Sequence, residues 1–436
     1  MIADLMGEAT RIGTQADAVI KSDETTSLRF HNGVLQEAHT TEESGANLRL
    51  VAEGRIGVAG STMADPAALA RAALDSTRLG RSGPLFYPAS APFPEPATCD
   101  SDAVAAGLDD LKLMGLCLGD SLVDDRTSIA VTLERSVGSV RVANSRGVEA
   151  DYLLSGVAIY AIATRVMAGG PVAAHSWWGA TALPTDEDLA AMVEDLSRRL
   201  DWAMEAAPAP APAPGQESNG VVVCFTPRAV ATLLMPVRRA LGGKALVHGD
   251  SPLADRLGIR VFAEGFSLID DPLIDGRPGS RPVDDEGVVS RRLTLVSRGV
   301  VEAGIFDLET GALGGVPSTG HARRTTFGKP QAAYSNLQVL PGEHDWEALL
   351  GLVGDGLVVD RLAGPPRFSR QGAYRVPVEL AWRVAGGELT GRVGGVTIAG
   401  NVFQQLGRIR GFGRETTWLG SMALPAMVVE GVALSA

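Results

Sequence analysis

Cysteine is scarce in this chain. Cys99, Cys117 and Cys224 lie far apart among 436 residues, an odd and scattered set that indicates no disulfide framework. Aromatic side chains are few, at 5%. No run of about 18 apolar residues occurs, which excludes an ordinary helical membrane span. Residues 1–20 carry Asp4, Glu8, Arg11 and Asp17, the wrong pattern for a signal peptide. Positive charge is in deficit: 39 Lys and Arg against 51 Asp and Glu leave a net charge of −12. Such a field repels phosphate, so nucleic acid is not an expected partner. The expectation is a soluble cytoplasmic protein without membrane association.

Catalytic signatures are missing as well. A zinc peptidase needs ligands on one rigid element and a carboxylate beside the bound water, which two histidines four apart on a helix and an adjacent Glu supply. The six histidines, His31, His39, His175, His248, His321 and His344, form no such pair, and none is followed by Glu. There is no G-x-S-x-G elbow for a nucleophilic serine. The run Leu241-Gly-Gly-Lys-Ala lacks the first Gly and the Ser/Thr of a phosphate loop. Cys224 falls in an apolar strand, where burial is expected.

What the chain does have is Gly (52) and Pro (25), with 45% hydrophobic and 21% charged residues. That is ample material for a core and favours strands and turns over a helical bundle. Residues 2–13 read as a helix and Asp17–Lys21 as a strand. A hairpin follows, Ser27–His31 and Val34–His39, turning at Asn32-Gly33, where a type I′ turn needs positive φ. Ala46–Ala52 and Ile56–Ser61 form a second strand pair across Glu53-Gly54-Arg55. Asp65-Pro66 caps a helix reaching about Leu79. Beyond the Pro-rich stretch 84–96, a helical pattern over 101–123 precedes strands at Ser128–Ser136, Val140–Ala143 and Ala150–Val166. A helix from Asp186 to Met204 follows. The order helix, strands, helix therefore occurs twice.

The fold class is α+β, with antiparallel sheets and helices in the N-terminal half and a β-rich C-terminal half. The expected organisation is an α+β module over 1–83, a second over 100–206, a Pro/Ala linker over 207–219 and a β-rich domain over 220–436. The linker sequence AAPAPAPAPGQESNG favours extended polyproline. After it, Val221–Phe225 reads as a strand and Pro227–Leu241 as one helix with Val230, Leu233, Leu234, Val237 and Leu241 on a single stripe.

The C-terminal half carries an ordered series of short motifs: Asp284-Asp285-Glu286-Gly287, then Arg298-Gly299-Val300, then Ser318-Thr319-Gly320-His321-Ala322-Arg323-Arg324, then Asn336-Leu337 leading to Pro341-Gly342. Phe368-Ser369, Gly386-Gly387-Glu388 and Leu424-Pro425 continue it, and Glu53-Gly54-Arg55-Ile56-Gly57 matches upstream. In order and spacing this series resembles the TldD/PmbA family over nearly the whole chain. The resemblance implies one of two roles. TldD-type members carry an H-E-x-x-x-H helix, with a cysteine near the C-terminus completing a metal site. TldE/PmbA-type members lack these and pair with a TldD-type subunit. Here the corresponding helix reads Leu234-Met-Pro-Val-Arg-Arg-Ala, and the cysteine position falls near Thr417–Met422, which contains none. Pro236 removes a backbone donor and bends the helix. Both departures match the TldE type.

The resemblance therefore implies no catalytic or metal residue and no cofactor in this chain, with zinc or another divalent metal in a TldD-type partner. It implies a heterodimer, or a homodimer when alone, acting on unfolded peptides that include leader peptides of modified natural products. Candidate substrate- or partner-binding residues are Asp284, Asp285, Glu286 and Gly287, and Thr319, Gly320, His321, Arg323 and Arg324. The carboxylates suit a peptide amine or a partner loop, while a polar turn with Gly287 at positive φ is the stronger competing reading. The two arginines suit bidentate pairing with a carboxylate. A self-sufficient homodimeric enzyme of a biosynthetic pathway, with an unrecognised metal site, is the alternative.

Overall fold

The computed structural model describes residues 1–63, 65–83, 85–167, 169–210, 220–364 and 367–435. Most of the expected linker, residues 211–219, lies outside these. The class is α+β, as the sequence indicates.

Long alternating segments build the N-terminal sheet. Helix α1 (Ile2–Ile12) leads into β1 (Gln15–His31), β2 (Val34–Ala52) and β3 (Arg55–Ser61), followed by α2 (Pro66–Ser76). Asn32 takes the positive φ that the sequence predicts for its turn, and Glu53 takes one as well at the second turn. The predicted hairpin and the strand pair after it are not separate, because β1 and β2 run unbroken through the polar middle, pairing from Gln15↔Val51 to His31↔Val34 with one register shift at Arg29/Phe30. After α3 (Ser101–Ala105) and α4 (Leu108–Asp120) the plan repeats with β4 (Thr127–Asn144), β5 (Glu149–Met167), β6 (Gly170–Ala180) and α5 (Asp186–Trp202). Strand β6, which the sequence reading leaves unassigned, pairs with β5 from Val157↔Ala180 to Met167↔Gly170. All six strands form one antiparallel sheet, β3-β2-β1-β4-β5-β6, whose central pair joins the two repeats from Asp17↔Asn144 to His31↔Ala130.

Period-two alternation gives this sheet two different faces. Ala16, Ala18, Ile20, Leu48 and Leu50 point toward α1 and α2, where they pack with Leu5, Ala9, Leu69 and Ala73. Farther along, Leu28, Phe30, Ile129 and Ile159 pack with Leu118 of α4 and Leu196 of α5 in a core that continues into Trp382 and Val428 of the C-terminal half. The opposite register of β1 and β2 places Asp17, Asn47 and Arg49 on the other face, and all three are buried.

The C-terminal half begins with β7 (Val221–Phe225). The expected single helix is two, α6 (Pro227–Leu233) and α7 (Met235–Ala240), with Pro236 in the first turn of the second. Proline fits the start of a helix and not its middle, so the break falls there. After α8 (Gly243–Val247) come β8 (Leu268–Asp270), β9 (Leu293–Ser297), β10 (Val300–Val301), α9 (Leu308–Gly314), β11 (Ala322–Arg323), β12 (Gln331–Ala332) and β13 (Leu337–Val339). Then follow α10 (Trp346–Val353), β14 (Gly356–Leu362), β15 (Ala373–Ala385), β16 (Glu388–Arg392), β17 (Thr397–Asn401), α11 (Val402–Leu406), β18 (Ile409–Leu419) and β19 (Met422–Ser435). An eleven-stranded sheet runs β10-β9-β8-β13-β19-β17-β15-β14-β7, with β16 added beside β15 and β18 beside β19, and β7 also pairs with β19, closing the last five strands of that order into a ring. Val223, Phe225, Val237, Leu357, Ala381 and Met427 fill it.

Candidate functional site

The loop Asp284–Gly287 and the segment Thr319–Arg324 meet each other, then dock together on the polar face of the N-terminal sheet. Asp284 organises its own turn. Its Oδ1 accepts from Glu286 N (2.9 Å) and Val288 N (2.8 Å), and its Oδ2 accepts from Ala322 N (2.9 Å), tying the two motifs together. Asp285 N donates to Ala322 O (3.1 Å). Gly287 and Gly320 both adopt the positive φ that favours glycine, at 83° and 77°.

All three carboxylates are fully buried. Burial raises the Asp284 carboxyl above its ordinary range and pushes Glu286 up to about 8, although Arg49 opposes the latter shift. Burial acts on Asp285 too, yet Lys21 and Arg323 outweigh it and hold this group below the usual carboxylate range. Each carboxylate has a defined partner. Asp285 Oδ2 accepts from Lys21 Nζ (2.6 Å) and Arg324 N (2.7 Å). Glu286 accepts from Arg49 Nη1 (2.7 Å) through Oε1 and from Leu308 N (2.6 Å) at the start of α9 through Oε2.

The two arginines have different fates. Arg324 is buried, with Nη1 donating to Asn47 Oδ1 (3.0 Å), Nη2 to Asp17 Oδ2 and Nε to Asp285 O (3.0 Å). Arg49 Nε donates to the same Asp17 carboxylate (2.7 Å) and Tyr87 Oη also reaches it. Arg324 is therefore a fastening between the two halves, with each of its three guanidinium nitrogens already donating to a protein acceptor. Arg323 is half-exposed, and its side chain makes no ion pair or hydrogen bond among the described residues. His321 is fully buried, its Nδ1 against Thr319 O and Oγ1 (2.9 Å each) and its Nε2 against Asp270 Oδ2 (3.0 Å). Thr319 Oγ1 accepts from Phe306 N (2.7 Å). Both residues support the loop.

Sequence reasoning missed the other half of this network: Asp17, Lys21, Asn47 and Arg49 on the sheet, Tyr87, Asp270 at the end of β8 and Arg281 in the loop after it. A signal was there. Asp17 and Arg49 interrupt the apolar strands Gln15-Ala-Asp-Ala-Val-Ile and Asn47-Leu-Arg-Leu-Val, and a lone charge in such a run points at a buried partner. Trp177 and Trp178, by contrast, lie half-buried on β6, with Trp178 against the core.

The broken helix and the C-terminal segment also meet. Arg238 Nη1 lies 3.7 Å from Met422 Sδ, its guanidinium stands 5.3 Å over the Tyr334 ring, and Tyr334 Oη donates to Arg238 O (2.7 Å). Nearby, Arg277 covers the Trp418 ring at 4.2 Å.

Residues 218–436 match the PmbA/TldA metallopeptidase C-terminal domain, and residues 16–78 match domain 1 of the same family. The chain belongs to the PmbA/TldD family. Among its relatives, a metalloprotease of Methanothermobacter thermautotrophicus is 26% identical over 92% of this chain and 88% of its own length. Metalloprotease PmbA of Escherichia coli O157:H7 is 22% identical over 95% and 92% respectively. Among solved structures, TldE from Thermococcus kodakarensis superposes with a TM-score of 0.89 at 20% identity, covering the whole of both chains. A Thermotoga maritima protein described as a putative modulator of DNA gyrase gives the same score at 19% identity, again over both whole chains. The resemblance implies a metal between the α6–α7 segment and the stretch Thr417–Met422. Here that place holds a guanidinium, a thioether and a phenol. A guanidinium repels a divalent cation and cannot donate a lone pair, so these residues do not fit the metal. Among the described residues, no group of three His, Cys, Asp or Glu side chains is arranged to hold one elsewhere.

Proposed function

We propose that this chain is the metal-free, TldE/PmbA-type subunit of a two-subunit metallopeptidase that binds and processes unfolded or leader peptides in the cytoplasm. One observation carries the reading: Arg238, behind the helix break at Pro236, lies against Met422 where the family's metal-binding members need lone-pair donors. A positive charge at that point is incompatible with a hydrolytic ion. The TldD-type partner supplies the divalent metal, zinc or a relative, and with it the activated water. This chain supplies binding and orientation of the peptide. The clamp of Asp17, Arg49, Asp285, Glu286 and Arg324 keeps its two halves in one orientation, which a shared substrate chamber requires.

The test is purification of the chain alone and together with a chain bearing H-E-x-x-x-H. Alone, it is expected to carry substoichiometric zinc by elemental analysis and to leave unfolded peptides intact. Together, the two are expected to co-elute and to cleave peptides until a chelator is added. Chelator-sensitive hydrolysis by this chain alone overturns the proposal and favours the self-sufficient enzyme.

A further inference from the structure

The region beside Arg323 holds more positive charge than its surroundings neutralise. Arg323 acts there on Lys21, Arg281 and Tyr152, Arg281 acts on Tyr152 as well, and Arg281 faces two carboxylates, Asp284 and Asp285. Asp285 Oδ2 already binds Lys21, and Asp284 accepts three backbone N–H groups. Arg281 is completely buried, yet only its Nη2 finds an acceptor, Gly320 O at 3.3 Å. Its Nε and Nη1, together with the buried Tyr152 Oη, have no hydrogen-bond partner among the described residues. Burial and the neighbouring Arg323 draw the Arg281 guanidinium down to about 10, and burial pushes the Tyr152 phenol up to about 12. Buried donors of this strength are normally satisfied, and leaving them otherwise is costly. Asp285 Oδ1 is likewise buried without a partner among the described residues, so packing alone does not account for this group of charges.

We propose that Arg281, Arg323 and Tyr152 form a receptor for a single peptide carboxylate, with Arg323 as its movable outer wall. Arg323 is the group an incoming anion meets first, because it is only half-buried and no ion pair or hydrogen bond anchors its side chain among the described residues. When it turns outward to engage the carboxylate, Arg281 Nη1 and Tyr152 Oη become reachable behind it. Planar guanidiniums match the two oxygens of a carboxylate. The surroundings select against larger anions: Asp284 and Asp285 lie beneath, and Asp23, Glu42 and Glu43 line the adjoining groove of about 680 Å³ together with Lys21. A polyphosphate or nucleic acid meets repulsion there. A peptide offers its carboxylate either at its C-terminus or on an Asp or Glu side chain. The inference rests on the peptide-handling role proposed above, and its test needs no second subunit.

Calorimetric titration of the full chain with three acetylated heptapeptides tests this. The first has a free C-terminal carboxylate and no acidic side chain, the second is its amide, and the third is an amide with one internal Glu. At least one acid-bearing peptide is expected to bind about tenfold or more tighter than the plain amide, a contrast typical of a charge-assisted pair. Which of them does so identifies the source of the carboxylate. Arg323→Gln is expected to erase that contrast without moving the thermal midpoint. Tyr152→Phe, which removes only a hydroxyl, is expected to weaken the acid peptide severalfold. Equal affinity for all three peptides overturns the proposal. So does an unchanged contrast in Arg323→Gln, or inorganic phosphate displacing the peptide at equal concentration. A failed pairing assay beside successful peptide binding would retire the two-subunit reading and leave the receptor standing.

Discussion

Asp17 shows how one side chain joins two halves of a molecule. It is fully buried on β1, receives Arg49 from the neighbouring strand and Arg324 from a loop more than three hundred residues away, and adds the Tyr87 hydroxyl. Burial by itself would raise this carboxyl, but the two guanidiniums outweigh that effect and hold it below its ordinary range. Such a cluster contributes little net stability when complete, because desolvation offsets attraction, and costs much when broken. Arg324→Ala is therefore expected to destabilise the fold by about 3–5 kcal/mol in urea titration, since Asp17 and Asn47 lose a buried partner. Arg323→Ala, one residue earlier on the half-exposed side, is expected to cost less than about 1 kcal/mol. Equal losses at the two positions would show that the network does not discriminate between them. The sequence offered these arginines as equivalent. Only the alternation of the short strand β11 and the depth of its docking separate them.

At the level of elements, the sheet and the C-terminal loops interlock through close backbone approach. Thr326 lies over β2 and β3, and Asn47 Nδ2 donates to Thr326 O (2.8 Å) and Gly328 O (3.0 Å). A Cβ on Gly60 would come within 1.8 Å of Thr326 O, which is backbone and cannot swing aside. Gly60→Ala is therefore expected to lift the 325–328 loop from the sheet, at a cost of about 1–3 kcal/mol. Faster amide exchange in that loop would report the lift, and a silent Gly60→Ala would show that the loop yields freely. The helix break at Pro236 belongs to the same scale. It was legible in sequence as a bend, because proline lacks the donor, while the structure shows two short helices with Leu234 and Val237 on either side of the break buried in one core.

For the molecule as a whole, Glu286 couples the halves to pH. It bridges Arg49 of the N-terminal sheet and the first amide of α9 in the C-terminal half. Burial pushes it up from 4.5 to about 8. A carboxyl whose folded pKa lies above its unfolded value takes up a proton on folding, so stability falls as pH rises through that window and levels off above it. The expected slope is at most about 1.4 kcal/mol per pH unit between 4.5 and 8. In Glu286→Gln, which mimics the protonated form, that part of the slope is expected to vanish in denaturant titrations across pH. Asp17 and Asp285 act oppositely. Their folded pKa values are depressed below 3.8, so their contribution is present above that value and lost as pH falls through the lower, folded one. Parallel pH profiles for wild type and Glu286→Gln would remove Glu286 from this account.

By itself the sequence determined the α+β class, the turns at Asn32-Gly33 and Glu53-Gly54 and the capped helices, since each follows from local rules of φ, capping and patterning. It also marked the Asp284–Gly287 and Ser318–Arg324 motifs as special. Only tertiary structure decided that both repeats share one sheet, that Arg324 is a fastening while Arg323 pairs with no described residue, and that Arg281 and Tyr152 are buried with unpartnered polar atoms. Those facts depend on which groups lose water together across hundreds of residues of chain, and spacing along the chain carries no record of that.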